Sequence, residues 1–139
     1  MKKSLVLLLI SSLVSGLYAR QPRTVVEPPF AFRNSGTLEI KRIELAPEST
    51  TVYIQAYFRP HNWIRISSET YIRAGAEGEK LTVRSADGMP LDTEFYMPET
   101  GRHDFSLSFP PVDPKTAKID LIESDCPDCF KIYDIDLTG

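Results

Sequence analysis

Val52, Ile54, Ala56 and Phe58 alternate with Tyr53, Gln55, Tyr57 and Arg59. A period of two assigns the first set to one face of a β-strand and the second set to the other. The same period returns in short runs from residue 37 onward, broken by Gly, Pro, Asn and Asp clusters, and no stretch keeps the 3.6-residue period of an ordinary helix. Further strands are expected near residues 63–67, 70–73, 80–85, 93–97, 103–109, 118–122 and 130–137. Asp87-Gly88 and Thr100-Gly101 supply turn residues between them. One break in phase is informative. Leu38 and Ile40 share a face, Lys41 and Arg42 are consecutive polar residues, and Ile43 and Leu45 resume the alternation on the other phase. Such a slip predicts a β-bulge or a strand that passes between sheets.

About eight short strands at intervals of roughly ten residues predict an all-β fold, an immunoglobulin-like antiparallel β-sandwich with no substantial helix. The immunoglobulin order Cys…Trp…Cys is missing, because Trp63 precedes both Cys126 and Cys129. Any likeness is one of architecture. The sandwich is expected over residues 37–139. Residues 20–36 carry Pro22, Pro28 and Pro29, which deny backbone donors, and read as an extended tether able to add an edge strand.

Residues 1–19 read as a secretory signal peptide: Lys2 and Lys3, the apolar run from Leu5 to Ile10, then Ser15, Gly16 and Ala19. The expectation is an exported protein, periplasmic or extracellular, without a membrane span once the leader is cut. The full chain has 16 basic and 19 acidic residues, net charge −3, and removal of Lys2 and Lys3 leaves 14 basic residues and a net charge of −5. This balance, with the two signs interleaved, argues against nucleic acid and against anionic membrane surfaces.

The one motif with chemistry is Cys126-Pro127-Asp128-Cys129. A redox-active C-x-x-C places its first Cys at a helix N-terminus, where the dipole stabilises the thiolate. Here a strand-like run, Phe130 to Leu137, follows instead. Glu123, Asp125 and Asp128 put negative charge beside the sulfurs, which raises thiol pKa values and slows attack. The pair therefore reads as a structural disulfide of a hairpin loop or as a reduced pair without function, with thiol–disulfide exchange as the alternative. A Cys2His2 metal set with His61 and His103 has poor spacing. Calcium at Glu123, Asp125 and Asp128 lacks the D-x-D-x-D-G loop. Neither is expected, and no cofactor is implied. No G-x-S-x-G elbow accompanies the Ser, His and Asp residues. No catalytic residue is assigned, and any enzymatic activity would be that of a thiol–disulfide oxidoreductase.

Tyr53, Tyr57 and Arg59 on one strand face, with Trp63 beyond the turn, form a candidate binding face for sugar rings or a protein partner. The plainer expectation is that these rings cover the outer face of the sheet.

Thr37-Leu38-Glu39-Ile40, Ile43-Glu44-Leu45, Tyr57-Phe58-Arg59-Pro60, Trp63-Ile64-Arg65-Ile66, Phe95-Tyr96-Met97-Pro98-Glu99, Ile122-Glu123-Ser124-Asp125-Cys126 and Phe130-Lys131-Ile132 together resemble the N-terminal β-rich domain of secreted thioredoxin-like oxidoreductases of Bacteroidetes. The resemblance covers most of residues 20–139. It implies a non-catalytic accessory domain preceding a separate thioredoxin-fold domain that carries the redox C-x-x-C, and that domain would be expected to begin near Gly139. No catalytic residue transfers with it. The implied partner is a fused or separate thioredoxin-like protein.

Overall fold

Val52, Ile54 and Ala56 are buried and Tyr53, Gln55 and Tyr57 are only partly so, as the alternation requires. They lie on the fourth of twelve strands in a computed structural model that describes residues 21–139. The expected signal peptide, residues 1–19, lies outside the described residues. The strands are β1 (Arg23–Val26), β2 (Phe32–Arg33), β3 (Leu38–Leu45), β4 (Thr50–Tyr57), β5 (Trp63–Ile64), β6 (Tyr71–Arg73), β7 (Leu81–Thr82), β8 (Ser85–Asp87), β9 (Phe95–Tyr96), β10 (Arg102–Phe109), β11 (Lys118–Ile122) and β12 (Lys131–Asp136). No helix occurs among the described residues.

Two five-stranded antiparallel sheets, ordered β1-β3-β4-β10-β8 and β2-β12-β11-β6-β7, make an all-β sandwich, with β5 and β9 paired as a small third sheet. One apolar cluster joins the inner faces. Ile40, Ile43, Val52, Ile54, Leu107 and Phe109 come from the first sheet and Ile72, Ile119, Leu121, Ile132 and Ile135 from the second. This shared burial holds the layers together, because each sheet has one apolar face that only the other can cover.

The phase slip in β3 is a bulge. Ile40 pairs with Ile54 and Arg42 with Tyr53, so Lys41 is an extra residue, and both Ile40 and Ile43 reach the core. The Pro-rich segment is built into the sandwich. Its β1 edges the first sheet beside β3, and its β2 edges the second beside β12. Between them lie Pro28 and Pro29, and the Pro29 carbonyl accepts the Asp136 N–H at 2.8 Å. In that connection no ladder donor is required of either proline.

Two expectations are corrected. The strand expected at 80–85 is two strands in different sheets: β7 pairs with β6, and β8 with β10. Consecutive amides make the crossing, with Val83 N–H donating to Thr70 O (2.8 Å) and Arg84 N–H to Ser108 O (2.7 Å). Phe58, expected inside, is 39% exposed. β4 ends at Tyr57, and the Phe58 N–H closes the end of the sandwich on Gly101 O at 3.0 Å. The two anticipated turns do carry left-handed glycines, Gly88 (φ 85°) and Gly101 (φ 69°). A Cβ at Gly101 would meet Phe58 O at 2.9 Å, so this turn demands glycine for space as well as for φ.

Candidate functional site

β11 and β12 are joined by a loop over residues 123–130, where Cys126 and Cys129 form a disulfide with Cα atoms 5.2 Å apart. The loop is pinned on several sides. Asn34 Nδ2 donates to Cys129 O (2.8 Å), and Asn34 Oδ1 accepts the Lys131 N–H (2.8 Å). Lys131 Nζ donates to Cys126 O at 3.0 Å. Tyr71 Oη and Lys80 Nζ donate to the two carboxylate oxygens of Asp125 at 3.3 and 3.4 Å. Lys80 and then Tyr71 hold the Asp125 carboxyl below its ordinary range, because both favour its ionised form.

The two sulfurs differ in environment. Cys126 is exposed, whereas Cys129 is buried at 5% exposure. The chain continues from Cys129 into a strand, so neither cysteine caps a helix. A carboxylate oxygen of Glu123 and both sulfurs lie within 4.8 Å of one another. Burial pushes the Glu123 carboxyl above its ordinary value, with Arg65 and the Ser67 main chain pulling the other way. These groups border an open groove of about 420 Å³ that Trp63, Arg65 and Glu69 also line, and Ser124 Oγ donates to Glu69 at 3.2 Å.

Trp63 therefore shares with the disulfide loop a groove that neither Tyr53 nor Tyr57 lines. It sits in register with Tyr96 across the β5–β9 pair, and both rings are exposed, at 47% and 61%. Tyr53 and Tyr57 stand on the outer face of the first sheet. There the Arg42 guanidinium covers the Tyr53 ring at 3.6 Å, Tyr53 Oη donates to Glu44 (3.2 Å), and Tyr57 Oη donates to Gln55. Arg59 is exposed beyond the end of β4. The four residues of the candidate face thus belong to two places. Tyr96 escaped sequence reasoning; its only signal was a lone aromatic beside Phe95 in a two-residue strand.

The histidines belong elsewhere. His103 Nε2 donates to Gly88 O at 2.6 Å and its ring stacks on Phe95 at 4.2 Å, while the His61 N–H donates to Met97 O. Among the described residues, Glu123, Cys126 and Cys129 form the one close group of metal-type ligands, and in it both sulfurs are bonded to each other. Comparison with protein-family models, with curated proteins and with solved structures finds no match to this chain. Among the described residues no helix is long and apolar enough to cross a membrane.

Proposed function

We propose that the protein is an exported, non-catalytic β-sandwich accessory module that docks a protein partner belonging to a thiol–disulfide, thioredoxin-like system. The supporting observation is that two exposed aromatic residues, Trp63 and Tyr96, stand in cross-strand register, with Trp63 lining the groove that the disulfide borders. Aromatic side chains on a rigid support are the anchors that protein interfaces favour, because they bury much area at little entropic cost. A disulfide on the surface fits an oxidising compartment. In this reading the sandwich is of immunoglobulin-like architecture.

Two measurements on the purified protein test the reading. Insulin reduction by dithiothreitol should proceed at the uncatalysed rate with the protein present, and a catalysed rate defeats the non-catalytic assignment. Titration with a purified exported thioredoxin-fold oxidoreductase should change Trp63 emission saturably in the native protein and not in Tyr96→Ala. A flat titration, with the partner shown to be folded, overturns docking to that class.

A further inference from the structure

The Cys126–Cys129 bond joins an exposed residue to a buried one at the edge of an open groove. Thiol–disulfide exchange needs the attacking sulfur in line with the bond it breaks, so the geometry of access decides which sulfur is struck and which leaves. A thiolate arriving from solvent reaches Cys126. Cys129 offers far less surface to attack, being 5% exposed although it lines the same groove. We propose that this disulfide is exchange-competent with a fixed polarity: an external thiolate of a small or protein thiol bonds to Cys126 Sγ, and Cys129 Sγ leaves beside Glu123.

The step balances. The attacking sulfur forms a new S–S bond with Cys126, the Cys126–Cys129 bond breaks, and its electron pair goes to Cys129. The new thiolate takes a proton from the Glu123 carboxyl when that group is protonated and from water otherwise. A second thiolate then attacks the mixed disulfide, so the protein disulfide is reduced and two external thiols are oxidised to a disulfide. Glu123 is the positioning and proton-donating partner here, since its oxygen and both sulfurs lie within 4.8 Å of one another. The charged groups around it are Arg65 and Glu69, which line the same groove, Asp125 and Asp128 on its own loop, and Lys131 at the base of that loop. Desolvation raises the Glu123 carboxyl despite Arg65, which extends its protonated range upward.

This goes beyond the docking module and does not depend on it. A bond can be a good electrophile while the reduced pair is a poor nucleophile. With no helix N-terminus at Cys126 and acids at 123, 125 and 128, the reduced form lacks the stabilised thiolate that turnover demands. The bond would therefore respond to thiols stoichiometrically, as a switch at the groove that Trp63 faces.

The test uses the full oxidised protein and reduced glutathione, with samples quenched in acid at short times, digested with pepsin and sequenced by mass spectrometry. Glutathione should be found on Cys126 in at least tenfold excess over Cys129. Equal labelling, labelling of Cys129, or a bond that opens in guanidinium but not under native conditions overturns the proposal. The rate per glutathione thiolate should rise in the native protein as pH falls through the Glu123 titration, above 4.5. Glu123→Gln, with its fold checked by circular dichroism, should abolish that rise. A flat profile in the native protein removes Glu123 from the step. Loss of the docking titration would leave these outcomes untouched, so the two readings fail separately.

Discussion

The sandwich contains two bulged strand pairs, β3–β4 and β11–β12, and it accommodates them by opposite means. In β3 the extra residue is Lys41, whose ammonium lies 3.5 Å from both Glu27 and Glu39 near solvent. In the second pair Ile119 faces Ile135 and Leu121 faces Ile132, which leaves the extra residue on β12, where Asp134 adopts φ 54°. Asp120, on the face of β11 opposite the core residues Ile119 and Leu121, is only 4% exposed. Its carboxylate accepts the Asp134 N–H at 3.0 Å and Arg73 Nε at 3.2 Å. One bulge is solvated and asks nothing of its neighbours. The other hides a charge, and it is stable only because a second strand, β6, brings a cation to it.

The largest expected effect follows from that dependence. Arg73→Met should lower stability by about 3–5 kcal/mol, measured by urea unfolding, because it strands a buried carboxylate. A loss no larger than that of a surface substitution would mean that Asp120 finds water instead, and the contrast between the bulges would collapse. Next comes the loop that closes the same hairpin. Cys126→Ser with Cys129→Ser should cost about 2 kcal/mol at most, since the cross-link spans a sequence separation of only 3 and a short loop gives little chain entropy. A larger loss would show that the disulfide supports the buried bulge as well as the loop.

A smaller effect concerns pH. The Glu123 carboxyl is raised by burial, so the folded protein binds its proton more tightly than the unfolded chain. Its contribution to stability is therefore fully present below pH 4.5 and is lost as pH rises through the folded value. Glu123→Gln should raise the melting temperature at pH 7 and leave it unchanged at pH 4; the reverse pattern would mean that Arg65 outweighs desolvation. The smallest effect is Lys41→Met, which should leave the urea midpoint unmoved because exposed ion pairs are screened. A clear shift there would make the two bulges alike.

The two bulges also differ in how far the sequence betrays them. Lys41 and Arg42 interrupt a strict alternation with two polar residues, so the slip is visible locally. In β11, residues 119–122 are all buried, although a period of two puts Asp120 on the side away from Ile119 and Leu121, with the exposed Lys118. Nothing local marks Asp120 as buried, since its partners come from positions 73 and 134. The candidate site divides in the same way. The Cys126–Cys129 pairing is short-range and readable as an open alternative from spacing, but Trp63 was grouped with Tyr53 and Tyr57 by closeness in sequence. The turn at 58–62, with His61 at φ 66°, carries Trp63 away to a different sheet.

Legible from near neighbours alone are the period of two that makes the chain all-β, the phase slip at Lys41 and Arg42, and the glycine turns at 88 and 101. Each arises from backbone sterics and side-chain alternation within a few residues. Only the tertiary structure decided which sheet each strand joins, where the run from Leu81 to Asp87 is cut, that Asp120 is buried, and that Trp63 shares a groove with Glu123 and the disulfide. Those outcomes include contacts between residues far apart in the chain, from Asp120 with Asp134, 14 positions away, to Arg33 with Ile132, 99 positions away. Such contacts are set by how two apolar faces cover one another, and no local period records them.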